Sequence, residues 1–210
     1  MCLPTLSLRS GASLAGTAVP ATLAWTGADA GGAGIARYEY ARSTNNGLTW
    51  GAAVSTTVAS NAISVTGSGT VRFRVHAIDR AGNVGAWMTG PNLTPAIVQL
   101  TTGTWATQTA PVFSGGSTRY ATAAGASATY IFTGRSVAFV TTLATSRGQV
   151  RVYVDTVLVA TLDTYSATTA YQRLAWARTW TASGSHTVKL VVVGTAGRPR
   201  VDLDAFVTIR

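Results

Sequence analysis

Gln149-Val-Arg-Val-Tyr-Val-Asp-Thr-Val-Leu-Val-Ala-Thr-Leu-Asp163 is the stretch that decides the fold of this chain. Val150, Val152 and Val154 alternate with Gln149, Arg151 and Tyr153, the period of two by which successive side chains of a strand point to opposite faces. A polar break at Asp155-Thr156 follows. In the second apolar run, Val157, Val159 and Thr161 share one face and Leu158, Ala160 and Leu162 the other. The pair reads as a β-hairpin whose first strand lays one face on a core. Its second strand, apolar on both faces, is expected to be buried on two sides. A sheet holding such a strand needs another layer against it, and the sequence around it supplies strands rather than helices. The C-terminal half is therefore expected to be a β-sandwich.

The rest of the chain has the same texture. Of 210 residues, 47% are hydrophobic and 11% charged, with 22 glycines, which fits β structure cut by many turns and argues against a disordered or coiled-coil chain. The length suits two ordinary β domains, each able to bury a working core. No apolar run nears the ~20 residues of a membrane span; the longest, 188–193, is broken by Lys189, so no membrane span is expected. The net charge is +9, and every basic residue except Lys189 is arginine. The arginines are scattered among apolar residues, as in Arg72-Phe73-Arg74-Val75, where the simplest role is the wet face of a half-exposed strand. No specific nucleic-acid partner is expected, although the charge alone favours weak attraction to polyanions such as acidic glycans. Cys2 is the single cysteine, which rules out an intrachain disulfide. Residues 1–9 lack the basic region and apolar stretch of a secretory signal; for an exported protein the expectation is a signal further upstream.

In chain order, strands are expected at 5–8, 17–26, 35–42, 54–58, 62–66 and 70–79, with a glycine-rich loop at 27–34. Ser43-Thr-Asn-Asn-Gly-Leu-Thr-Trp50 supplies a turn, Asn46-Gly47 suiting the positive φ values of a type I′ hairpin. It looks like an Asp-box with Asn45 in place of aspartate, a turn motif whose side chains tie the loop together. His76 is expected on the polar face of its strand, with no neighbouring His or Cys to suggest a metal. Val71-Arg-Phe-Arg-Val-His-Ala-Ile-Asp-Arg-Ala-Gly-Asn83 and the core position of Trp25 resemble fibronectin type III and related bacterial immunoglobulin-like modules. The resemblance implies an immunoglobulin-like β-sandwich over residues 1–92. Residues 93–104, with Pro95, are expected to form a linker.

Past Trp105, several spaced motifs follow in order: Phe132-Thr-Gly134, Val152-Tyr-Val-Asp155, Asp163-Thr-Tyr165, Gly184-Ser-His-Thr187 and Val201-Asp-Leu-Asp-Ala-Phe206. Together they resemble the galactose-binding-like jelly rolls found as carbohydrate-binding modules and as accessory modules of secreted bacterial enzymes. Thr156 departs from the Asp-Gly that usually closes the hairpin. The resemblance implies, for residues 105–210, an eight-stranded jelly-roll sandwich with ligands at loops along one edge or on a concave face. The fold class expected for the chain is all-β, an immunoglobulin-like β-sandwich followed by a β jelly-roll sandwich.

The chemistry on offer is sparse. Seven carboxylates, two histidines and no reactive-cysteine setting are a thin inventory for acid/base or nucleophilic catalysis, and no enzyme is expected. Asp202 and Asp204 are the one close carboxylate pair, expected to point the same way on a strand. The jelly-roll resemblance implies that aspartate here can help hold a structural Ca²⁺, whose hard oxygen ligands it would supply; otherwise the two bond to loops. His186 is expected to hold its turn, and Trp176 and Trp180 to pack in the core. Tyr165, Tyr171, Asp163 and Arg147 form an aromatic and polar group in or beside turns. An aromatic ring stacks on a sugar face while Asp and Arg bond its hydroxyls, so these four are the candidate carbohydrate site. The functional expectation is a non-catalytic region of an extracellular or cell-surface protein, its jelly roll binding a carbohydrate or cell-surface polysaccharide and its N-terminal module acting as a spacer. The alternative is a structural or adhesive subunit of a filament, stalk or fibre, whose partners would be protein, either other domains of a larger chain or further subunits.

Overall fold

The structure, a computed structural model, describes residues 3–28, 32–101 and 103–210. Cys2 and residues 29–31 of the expected glycine-rich loop lie outside the described residues. The fold is all-β: among the described residues there is no α-helix, and a 3₁₀ turn at Ser114–Gly116 is the one helical element.

In the first half, β1 (Thr5–Leu8), β2 (Ala18–Ala24) and β5 (Ser60–Thr66) form one antiparallel sheet in the order β1-β2-β5. A second sheet has the order β4-β3-β6-β7, from β3 (Ile35–Ser43), β4 (Val54–Thr56), β6 (Arg72–Asp79) and β7 (Met88–Thr89). The alternation along β2 buries Val19, Ala21 and Leu23, and these meet Leu6, Leu8, Phe73 and Val75 in one apolar cluster, the area removed from water being the main force that holds the layers together. Trp25 sits in it, 5.5 Å from the ring of Tyr38. The turn after β3 is tied by its own side chains: Ser43 Oγ accepts from the Gly47 amide at 2.9 Å and Asn45 Oδ1 from the Thr49 amide at 3.0 Å. Asn46 and Gly47 take φ of +61° and +89°.

His76 departs from expectation. It is buried, stacked on Trp87 at 3.8 Å, with Nε2 3.2 Å from Glu39 Oε2. The Arg74 guanidinium lies 4.2 Å from the Trp87 ring and 4.5 Å from that of Trp50. Cation–π stacking across the sheet covers a face that alternation alone marks as wet.

The second half is organised by two long antiparallel strands, β11 (Ser127–Leu143) and β14 (Ala170–Val192). Each runs through a polar stretch that looks like a turn in the sequence, with a register shift between Gly134 and Ser136 where the pairing bends. They carry β12 (Gln149–Val154) and β13 (Val157–Asp163) on one side, and β16 (Ala205–Ile209) and β8 (Pro95–Val98) on the other, in the order β13-β12-β14-β11-β16-β8. A smaller sheet, β15-β10-β9, is built from β9 (Ala106–Thr109), β10 (Ser117–Ala121) and β15 (Val201–Leu203). Val150, Val152 and Val154 are buried against Val188, Leu190, Val192, Phe139, Phe206 and Leu203, the core that the hairpin's first strand demands.

The second strand of that hairpin corrects the expectation of burial on two sides. β13 is the edge of its sheet, and Val157 and Leu158 are 62% and 48% exposed. Apolar side chains on both faces fit a pleated edge as well as a central strand. The connecting turn holds Asp155 and Thr156 at φ +49° and +72°, a conformation in which a β-branched residue is an outlier. Thr156→Gly is therefore expected to stabilise the protein by about 1 kcal/mol, seen as a higher denaturation midpoint with an unchanged denaturant slope.

The two halves share one core. Leu6, Leu8, Leu14 and Val19 belong to the same buried cluster as Ala138, Val140, Leu174, Ala205, Val207 and Ile209. The segment after β1 adds to the edge of β14: Gly11 N–H donates to Leu174 O at 2.8 Å, Leu174 N–H to Ala12 O at 2.9 Å, and Leu14 N–H to Gln172 O at 2.9 Å. Pro95 to Val98, within the segment expected to be a linker, is the β8 strand paired with β16.

Candidate functional site

The turn at 144–148 and the segment 198–200 are pressed together at one rim of the second half. Gly148 N–H donates to Arg200 O at 2.8 Å, and a Cβ on Gly148 would run into the carbonyl oxygen of Arg198, so only glycine allows this approach. Thr164, buried, closes the corner by donating its hydroxyl to Gly148 O at 2.6 Å. The backbone thus brings the ends of β12 and β13 beside the entry to β15.

On that frame Arg198 joins three of the expected residues. Its guanidinium holds the Asp163 carboxylate with two nitrogens, Nη1 to Oδ1 at 2.5 Å and Nη2 to Oδ2 at 2.7 Å, a fork that suits a carboxylate. It also donates to the carbonyl of Arg147 at 2.8 Å and lies 5.2 Å from the ring centre of Tyr165, which is 50% exposed. Hydrogen bonding from Arg198 pulls the Asp163 pKa down to about 2 against the opposing effect of partial burial. The side chain therefore remains a carboxylate at neutral pH. Tyr171 is placed differently: its ring stands edge-on to Phe113 at 5.8 Å.

Asp202 and Asp204 do not act together. Asp202, on β15 and fully buried, accepts from Nε of Arg147 at one oxygen and from Nε of Arg200 at the other, the latter at 2.7 Å. Asp204 lies in the break between β15 and β16 and accepts from the Ser114 amide at 2.9 Å. Its second oxygen is buried and has no partner among the described residues. Burial, and next the nearby Asp202 carboxylate, push the Asp204 pKa up to about 7, with the Ser114 hydrogen bond acting the other way. This pair does not fit calcium. Two guanidinium groups already claim Asp202 and would repel a dication, and among the described residues no three His, Cys, Asp or Glu side chains gather as a metal set.

Four residues of this rim escape sequence reasoning: Arg198, Arg200, Tyr120 and Gln108. Arg200 lies 4.0 Å from the Tyr120 ring and donates through Nη2 to Gln108 Oε1. One signal was readable, since Arg200 and Asp202 are two apart on an extended chain and share a face. The tryptophans pack as expected, whereas His186 lies within β14 rather than in a turn of its own and reaches the turn between β12 and β13. His186 Nδ1 lies 2.8 Å from Asp155 Oδ2 at the hairpin turn, its ring stacked on Trp180, and Trp176 and Trp180 pack on the second core.

No protein-family model matches the chain, and no curated protein matches it. Among solved structures, it is similar to the CBM36-1 domain of a multidomain xylanase from the hindgut metagenome of Trinervitermes trinervoides, with 16% identity and a TM-score of 0.39 over 56% of this chain and 97% of that one. It is also similar to the M60 catalytic domain with the CBM51-1 and CBM51-2 domains from Clostridium perfringens ZmpB. That match has 9% identity and a TM-score of 0.29 over 99% of this chain and 31% of that one. An α-L-rhamnosidase of Streptomyces avermitilis complexed with L-rhamnose matches with 13% identity and a TM-score of 0.29 over 98% of this chain. This chain spans 23% of that enzyme's length.

Proposed function

We propose that the protein is a non-catalytic carbohydrate-binding region of an extracellular or cell-surface protein, and that the rim around Tyr165 is its binding site. The observation that carries this reading is the half-exposed Tyr165 ring set beside an ionised Asp163–Arg198 pair. A sugar offers such a site one apolar ring face for the tyrosine and hydroxyls for the carboxylate and guanidinium, the mixture of apolar platform and few placed polar groups typical of small-ligand sites. The pair is braced from below by the Gly148 corner, so little order remains to be imposed on binding.

Binding without turnover is supported by how the described carboxylates are used. Glu39 faces His76, Asp79 takes the Asn83 amide, Asp155 faces His186, Asp163 and Asp202 are held by arginines, and Asp204 is interior. Among these described residues, none stands free opposite another, as a general acid and its partner must. The spacer role of the first half is supported by its two sheets, whose orders β1-β2-β5 and β4-β3-β6-β7 suit a fibronectin type III-like sandwich. Tyr165→Ala is expected to weaken binding on a polysaccharide and glycan array about tenfold or more, from loss of the stacking platform. Retention of full binding by that variant, or the absence of any retained glycan, would sink the proposal.

A further inference from the structure

The rim holds more positive charge than its own carboxylates consume. Arg147, Arg198 and Arg200 meet Asp163 and Asp202, three cations against two anions. Arg198 spends both terminal nitrogens on Asp163. The other two arginines are used unequally. Arg147 gives Nε to Asp202 and Nη1 to Ser146 Oγ; Arg200 gives Nε to Asp202 and Nη2 to Gln108. Nη2 of Arg147 and Nη1 of Arg200 make no hydrogen bond among the described residues, and neither is a buried unpartnered atom. Both therefore reach solvent. The two residues are backbone neighbours, bridged in parallel, and their guanidinium groups are held near one another because each gives Nε to one oxygen of the same Asp202 carboxylate.

What fixes them is the Asp202 carboxylate, fully buried between the two guanidinium groups. Its burial makes the arrangement stiff, because neither arginine can leave without stranding a charge inside the protein. Tyr120 beneath Arg200 removes further freedom by stacking. Two adjacent, preorganised guanidinium edges form a receptor for an oxyanion, since their planar N–H donors match the oxygens of carboxylate and sulfate.

Building on the carbohydrate reading of this rim, we infer that its ligand is an acidic glycan, whose carboxylate or sulfate docks on the free edges of Arg147 and Arg200 while a sugar ring lies by Tyr165. A net charge of +9 would draw such a polymer to the protein from a distance. A mere brace, fixing the 144–148 turn to β15, would need the same Asp202 contacts but would show no preference for charged ligand.

The test compares matched probes on the intact protein by titration calorimetry: tri-galacturonate against its methyl ester, and galactose 6-sulfate against galactose. The inference expects the charged member of at least one pair to bind about tenfold more tightly. That advantage should shrink as salt is raised and disappear in Arg200→Gln, whose folding is checked by its thermal midpoint. A preference in the first pair identifies carboxylate as the docked group, and in the second, sulfate. Equal affinities within both pairs, or no binding by any of the four, overturn the inference. Equal affinities that still fall with Tyr165→Ala would leave the carbohydrate reading standing alone. Should Arg200→Gln fail to fold, the wild-type comparison of acid with ester decides the matter by itself.

Discussion

Leu174→Ala is expected to lower the melting temperature of the whole chain by roughly 6–12 °C, within one calorimetric transition. Leu174 is fully buried, and its cluster contains Leu6, Leu8 and Leu14 from the first half as well as Val140 and Val207 from the second. Its own N–H and C=O bond to Ala12 and Gly11, so the side chain sits where the halves are stitched by backbone. Truncating a buried leucine costs about 2–5 kcal/mol through lost transfer energy and the cavity left behind. A domain of this size shifts by roughly 2–4 °C per kcal/mol, which for about 3 kcal/mol gives the stated range. Two resolved transitions, with only one of them moved by the substitution, would show instead that the halves unfold independently and that the shared cluster contributes little to cooperativity.

Such coupling was not legible in the sequence. The apolar alternation of 201–209 and of the strand near Leu174 specifies that faces are buried, but not whether the layer covering them comes from the same half. Residues 93–104 read as a linker because Pro91 lies just before them and Pro95 within them, yet a proline at the start of an edge strand leaves the ladder intact, and β8 pairs from Pro95 onward. What the sequence did specify was local. Val150, Val152 and Val154 bury as their period requires, and Asn46-Gly47 takes the positive φ values its turn type demands. The unbroken length of β11 and β14 has the opposite origin. Gly134 and the glycine and serines near 183–185 look like turns in isolation, and long-range pairing carries the chain through them in a bend.

The candidate site divides along the same line. Asp163 and Tyr165 were visible as a turn with a platform and an acid, because both signals lie within three residues. Arg198, the residue that organises them, is 35 positions from Asp163, and its arrival depends on a glycine contact at Gly148 that has no signature of its own. Tyr171 was grouped with Tyr165 by nearness in sequence, but the chain has entered β14 by then and its ring meets Phe113. The Asp202 and Asp204 pairing failed for a related reason. Alternation places them on one face only while the strand continues, and β15 ends at Leu203.

Asp204→Asn should abolish a loss of stability that the parent protein suffers between about pH 4 and pH 7. In the unfolded chain the Asp204 carboxyl titrates near 3.8, and in the fold it is held up to about 7, so the folded state keeps its proton over a range where the unfolded state loses it. Stability from this group is therefore complete below about pH 4, declines as pH rises, and is spent above pH 7. Every tenfold difference in proton affinity between the folded and unfolded carboxyl is worth about 1.4 kcal/mol, which places the decline on the order of 4 kcal/mol. Asparagine keeps an acceptor for the Ser114 amide and cannot ionise, but it buries an NH₂ where the Asp204 Oδ2 has no partner among the described residues, at a cost of about 1–3 kcal/mol. The variant should thus be the less stable protein at pH 4 and the more stable at pH 8, its curve crossing that of the parent between. Asp163 acts in the opposite sense: its pKa of about 2 gives stability that is present above about pH 4 and lost as pH falls toward 2. Because both proteins retain Asp163, subtracting their urea-unfolding free energies removes it and isolates Asp204. A difference that stays constant from pH 5 to 8 would mean that this buried carboxyl ionises as freely in the fold as in water, and that the pocket behind Ser114 is wetter than its packing allows.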